Sequence, residues 1–260
     1  MGAASPRLRG RRRGTVELAQ HFLGLTVQTD GPAFTPGEVT LMDFRLDQGD
    51  GLHFMDVLPF TERRALVGET YVSGESVAPA RRRASIALHL ADRYHVHRWE
   101  VVSEERGRIA MGTARHDPAP SPRITAVGTA GGAVRASSGY AFVRLQRHCA
   151  AVAGAVAQGL APPARLSHLR HDELDRVFLH ALARDPQAFL EHFRRMVARV
   201  PPDVFARFMN DSSTVRDELH VIAALPKLPF VAAALRSHTT GRRPLLRTQH
   251  GERLATAAPA

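Results

Sequence analysis

The period of the apolar residues changes once along this chain, and that change limits the folds open to it. Between His21 and Ser73 the pattern is strand-like, in the runs Phe22–Gln28, Val39–Leu46, Leu52–Leu58 and Arg64–Val72. Turn chemistry separates these runs: Asp30-Gly31-Pro32, Gln48-Gly49-Asp50-Gly51 and Pro59 to Arg63. Connections this short favour antiparallel meanders, because parallel neighbours need a long crossover. Pro79–Tyr94 predicts a helix with proline in its first turn, and Trp99–Val102 and Arg108–Met111 return to strand. A polar, proline-rich loop follows from His116 to Pro122. Beyond Pro163 the spacing becomes helical. Asp172 stands ahead of one apolar stripe, Asp185-Pro186 ahead of a second, and Thr214 with Asp217 has the form of a capping box ahead of a third. No internal repeat is present. The expected class is α+β, a largely antiparallel sheet followed by a helical region.

The predicted organisation is a basic disordered tail over 1–18, a sheet domain with one helix over 19–127, and a glycine-rich segment with its helix over 128–160. A helical region over 161–237 and a second disordered tail over 238–260 complete it. The glycine-rich segment reads Gly128-Thr129-Ala130-Gly131-Gly132, then Ser137-Ser138-Gly139-Tyr140, with a helix expected from about Ala141. Glycines after a short apolar run let backbone N–H groups approach a phosphate or a flavin edge, and a helix N-terminus aimed there favours the same ligand. The dinucleotide fingerprint G-x-G-x-x-G, with an acidic residue about 20 positions on, occurs nowhere upstream. The segment therefore reads as half of a flavin site.

Composition narrows the alternatives. A single cysteine, Cys149, excludes an internal disulfide framework and a multi-cysteine zinc site, and suits a reducing compartment. No apolar run reaches the roughly 18 residues of a membrane span. The formal charge of +10 comes almost wholly from arginine, with Lys227 the one lysine. Part of it lies in the run Arg7, Arg9, Arg11, Arg12 and Arg13, a solvated tail lacking the apolar core of a signal peptide. Scattered arginines with no recognisable motif argue against specific nucleic-acid binding. His95 with His97, and His168 with His171, have spacings open to a metal, but no cysteine or carboxylate cluster accompanies them, so no metal is assigned.

An ordered set of motifs from about Gln20 to Arg236 resembles the C-terminal part of the FAD-dependent lycopene cyclases of the bacterial type. The set comprises Met42-Asp43-Phe44, the hairpin Gln48 to Phe54, Arg64 to Thr70, Glu104 to Met111, Gly128 to Tyr140, and Ala223-Ala224-Leu225-Pro226-Lys227-Leu228-Pro229-Phe230. The resemblance implies a two-domain flavoprotein whose Rossmann-like front binds most of the FAD, while a mixed sheet forms the substrate wall. That front is missing from these residues, and a misplaced start or a lost front is expected ahead of an intact cyclase. It also implies reduced FAD as cofactor, contacted by Gly128, Thr129, Ala130, Gly131, Gly132, Ser138, Gly139 and Tyr140. Lycopene is the implied apolar substrate, and a cytoplasmic protein resting on a membrane surface the implied setting. The implied activity is non-redox ring closure by protonation and deprotonation. The competing expectation is a non-catalytic remnant or companion subunit that binds an apolar ligand or a partner chain.

Ring closure needs a carboxyl group that is protonated near neutral pH, which burial in an apolar pocket provides. The resemblance puts that acid two positions before Thr70, where this chain has Gly68. Glu69 is adjacent, but strand alternation turns it to the other face unless a bulge at Gly68 rotates it inward. Asp56 has the better parity: a hairpin centred near Glu62 sets it directly across from Gly68 with its side chain on the same face. Asp56 is therefore the first candidate acid and Glu69 the second. Asp43 is open to a structural or a functional reading. Glu104 and Glu105 are expected to precede a turn, in contact with flavin or with solvent.

Overall fold

The computed structural model describes residues 18–49, 51–74, 78–112, 124–163 and 169–239. The arginine run, the loop His116–Pro122, His168 and nearly all of both expected tails lie outside them. Five antiparallel strands form one sheet: β1 (Leu18–Thr29), β2 (Thr40–Asp43), β3 (Leu52–Thr61), β4 (Arg64–Ser73) and β5 (Trp99–Met111), in the order β2-β3-β4-β1-β5. Helix α1 (Pro79–Tyr94) lies between β4 and β5 in sequence, and six more follow: α2 (Phe142–Ala157), α3 (Leu169–Arg184), α4 (Pro186–Arg199), α5 (Pro202–Met209), α6 (Val215–Ala224) and α7 (Lys227–Thr239). The described chain is α+β, as its period predicts.

The sheet is covered differently on its two faces. On one, Leu25, Val27, Met55, Val57 and Val67 pack against Ile86 and Leu90 of α1, all with no exposed surface. Each such side chain contributes about 1.5–3 kcal/mol by leaving water. On the other, Leu18, Leu52, Phe54, Val72 and Met111 meet Leu179 and Leu182 of α3, Phe189 of α4 and Ala233 of α7. A third cluster, Met196, Val200, Val204 and Val221, holds α4, α5 and α6 together.

The sequence expectations differ from the fold in four places. The run Val39–Leu46 yields only the short β2, because Met42 takes a left-handed φ of 51° and breaks the ladder. The two strands expected around Glu104–Gly107 are one strand of 13 residues, since β1 pairs along its whole length and its outer edge can carry charge. Asp172 lies in the first turn of α3 instead of capping it. Helix α5 and the separation of α6 from α7 had no clear signal in the apolar spacing. The other caps form as expected: Asp185 accepts from Ala188 N–H at 2.9 Å, and Thr214 and Asp217 close a capping box.

Candidate functional site

The β3–β4 hairpin fixes the position of Asp56. Its loop is Glu62-Arg63, with Thr61 paired to Arg64, and a register shift between Pro59 and Thr61 gives the odd count that the sequence predicted. Asp56 consequently pairs with Gly68. Gly68 pairs onward with Gly24 on β1, and Gly24 with Glu105 on β5, so one row crosses four strands on one face. Two glycines in the middle of this row leave a bare strip of backbone with a carboxylate at each side. A Cβ at Gly68 would lie 3.9 Å from the Asp56 Cβ, whereas at Gly24 it would lie 2.8 Å from Glu105 Cγ and Oε1. The Glu105 side chain thus folds over Gly24. Glu105 is in mid-strand, not ahead of a turn, and Glu104, on the other face, pairs with Arg83.

Asp56 is half-buried, and its Oδ1 accepts the Met42 N–H at 2.7 Å. Burial pushes its carboxyl above the usual range, against the opposing pull of that hydrogen bond. The bond also ties Asp56 to the left-handed turn at Met42, which fixes one of its two oxygens. Tyr140 is close enough to respond to this carboxylate: partial burial first, then the Asp56 charge, push its phenol upward. The glycine-rich segment and the candidate acid lie on the same face of the sheet, since Gln20, which holds Ser138, shares the parity of Gly24 and Asp56.

Glu69 points to the other face, and no bulge rotates it inward, because the register through Gly68 is continuous on both sides. It is 2% exposed, receives Arg82 Nε at 2.5 Å and lies 2.9 Å from His53 Nε2. Burial would raise its pKa, but the His53 hydrogen bond and the charge and hydrogen bond of Arg82 outweigh that and hold it low. Arg82 also donates to the carbonyls of His21 and Glu69, so the pair cross-links α1 to the sheet. Asp43 is likewise a closed pair: Arg45 grips both its oxygens, at 2.8 and 2.7 Å, and holds its pKa down.

The segment 128–140 reaches the sheet through Gln20, whose Nε2 donates to Ser138 O at 2.7 Å. Gly139, with φ of 73°, permits that approach; a Cβ there would be 2.7 Å from Gln20 Oε1. Arg135, 2% exposed, anchors the segment from behind. It donates to Asp175 of α3 and to the Phe208 carbonyl of α5, with its guanidinium 4.5 Å from the Phe208 ring centroid. Sequence reading missed Arg135 because one buried arginine does not stand out among so many.

Within the turn, the N–H groups of Gly131, Gly132 and Ala133 bond back to the carbonyls of Val127, Gly128 and Thr129. They serve the turn and not a ligand, contrary to a simple cradle of outward amides. Space is open where a Cβ of Gly128 would stand, and α2 begins nearby with no side-chain cap and no acidic residue in its first turn. Arg144 of α2 chelates Asp211 at 2.7 and 2.9 Å, and Asp211 in turn lies 2.7 Å from His171 Nδ1. His171 is thus built into an ionic support for α2 from α3 and the turn before α6.

An antiparallel sheet backed by helices, with a glycine-rich turn and a raised carboxyl on one face, defines an α+β protein. The family model described as lycopene cyclase protein matches residues 2–235, and the chain belongs to that family. A lycopene beta-cyclase from a Paracoccus species is 28% identical over an alignment of 239 residues that covers 82% of this chain and 58% of that protein. The chain therefore spans 58% of the length of this curated relative. Among solved structures, it is similar to a geranylgeranyl bacteriochlorophyll reductase-like protein from Thermoplasma acidophilum (12% identity, TM-score 0.44, covering 89% of this chain and 57% of that one). It is also similar to a flavin-dependent halogenase from Xanthomonas campestris (12% identity, TM-score 0.39, covering 87% and 50%).

Proposed function

We propose that this chain forms the substrate wall of a carotenoid cyclase and that Asp56 is its acid/base group. The supporting observation is the pairing of Asp56 with Gly68, which sets a raised carboxyl across from the position where the family resemblance expects one. The bare strip at Gly68, beside Asp56, accepts the flat end of a linear carotene. Protonated Asp56 gives its carboxyl proton to a terminal C=C bond. The π electrons of a second double bond then close the ring on the cationic carbon, and the carboxylate left on Asp56 removes a ring proton. The reaction is an isomerisation, with no net gain or loss of electrons.

FAD fits this site along one edge. Gly128, Tyr140 and the uncapped start of α2 would hold it, while Gly139 is taken up by Gln20 and no dinucleotide fingerprint exists in these 260 residues for the remainder. When bound and reduced, it supplies negative charge near the cationic centre, a form of electrostatic stabilisation. The chain's own residues orient the acid and move the proton. A second reading, an apolar-ligand or partner-binding subunit without catalysis, draws on the absence of an acid at Gly68 itself. Expression of the chain in cells that accumulate lycopene separates the two: cyclised carotene in the extract supports the first, and unchanged lycopene with tightly retained carotene supports the second.

A further inference from the structure

The face of the sheet opposite Asp56 carries a second opening. A cleft of about 660 Å³ lies between α1 and the connection from β2 to β3, with His53 and Glu69 in its floor. Its apolar wall is Leu46 together with Ala84 and Leu88, which stand four residues apart on one stripe of α1. Leu88, 60% exposed, borders the opening. The volume is that of a site for a small organic molecule, roughly 300–1,000 Å³.

His89 of α1 completes that wall, and its ring is unmatched. It is 2% exposed, yet among the described residues neither ring nitrogen has a hydrogen-bond partner. Burial, and then the charges of Arg93 and Arg45, outweigh the pull of Asp43 and hold its pKa low, so the ring is neutral. A neutral imidazole has one N–H to give and one lone pair to fill, and here both are unmet. Buried polar groups nearly always have partners, so two unmet groups in the wall of a cleft point to a partner supplied from the cleft. The charged groups around it are already matched. Glu69 is held by Arg82 and His53, Arg45 grips Asp43, and Arg81 faces Asp47 at 3.7 Å. Asp92 and Arg93 at the rim cancel in charge. A cleft with no net charge does not select an ion, whereas a hydroxyl both donates and accepts and so matches a neutral imidazole in either tautomer. We infer that this cleft binds an uncharged apolar alcohol or phenol, its ring against Leu46, Ala84 and Leu88 and its hydroxyl on His89. The site is independent of the acid/base reading, because it shares no residue with the Asp56 face.

The test is titration of the full chain, without flavin or carotene, with beta-naphthol, using naphthalene and beta-naphthoate as the hydroxyl-free and anionic controls. Naphthol binds about tenfold more tightly than naphthalene, the usual worth of one or two hydrogen bonds. The imidazole nitrogen resonances that vanish in His89→Phe move when naphthol is added and stay in place with naphthalene. His89→Phe removes both unmet nitrogens, so it holds or raises Tm and brings naphthol down to the affinity of naphthalene. Leu88→Gln, a change on the surface that leaves circular dichroism and Tm at parent values, weakens both ligands alike. Naphthol no tighter than naphthalene, or naphthoate tighter than naphthol, overturns the inference. So does a parent chain that binds none of the three, or unchanged naphthol binding in His89→Phe, which would leave the ring with an internal water only.

Discussion

Asp56 and Glu69 lie one strand apart, on opposite faces of the same sheet, and their surroundings give them opposite chemistry. Glu69 is enclosed between the sheet and α1, with Arg82 and His53 on its oxygens, so it stays ionised and holds two layers together. Among the described residues no cation pairs with Asp56; a backbone N–H steadies one oxygen, and burial raises its pKa. Burial alone predicts the same direction for both. The difference comes from the partners, so a buried carboxylate beside an arginine is structural and a half-buried one without a cation is available for proton transfer.

Substitution at each position tests this contrast. Asp56→Asn keeps an oxygen for the Met42 N–H but cannot give up a proton. It is expected to cut cyclisation by about 10²–10⁴-fold, the usual worth of a general acid, while Tm holds or rises. Carotene analysis beside a thermal melt checks both parts, and a variant that still cyclises at the parent rate removes Asp56 from the mechanism. Glu69→Gln does the reverse. It leaves Arg82 buried without its counter-charge, at a cost of about 3–5 kcal/mol, read as a lower midpoint in denaturant titration. A loss of activity in that variant without loss of stability would restore Glu69 as a candidate acid.

The two acids also have opposite linkage to pH. Glu69 has a depressed folded pKa, so its stabilisation is present above the unfolded value, about 4.3, and is lost as pH falls through the folded value. Asp56 has a raised folded pKa, so its contribution is fully present below the unfolded value, about 3.9, and is lost as pH rises through the folded value. Stability curves over the acid range should therefore lose a rising component in Glu69→Gln and a falling one in Asp56→Asn. Matching curves for the two variants would mean that the faces are electrostatically alike.

Much of this contrast was legible in the sequence, because it follows from parity and hairpin register. The pairing of Asp56 with Gly68 needs only strand alternation and a loop count. Helix α1 was legible from Pro79 and its apolar spacing. What alternation cannot supply is a partner distant in sequence. Arg82, which decides the state of Glu69, is 13 residues away on a helix, and Asp175, which holds Arg135, is 40 residues away. The continuous β5 was hidden because an edge strand tolerates charge on both faces. Met42 gave no warning either, since a left-handed methionine is stabilised by its surroundings and not by its own preference.

The smallest expected effect concerns the bare strip itself. A glycine in mid-strand gives up roughly 0.5–1 kcal/mol relative to alanine, through backbone entropy and missing packing. At Gly68 the new methyl would meet Asp56 Cβ and its carbonyl oxygen at 3.9 Å, an ordinary contact, so Gly68→Ala should raise stability by that small amount. Gly24→Ala pushes instead against the Glu105 side chain, which is exposed and can swing aside. If the strip seats the substrate beside Asp56, Gly68→Ala lowers cyclisation several-fold while Tm rises, since a methyl stands where the flat end group must lie. If activity is unchanged as stability rises, the glycine has no steric role, and the substrate meets Asp56 from another direction.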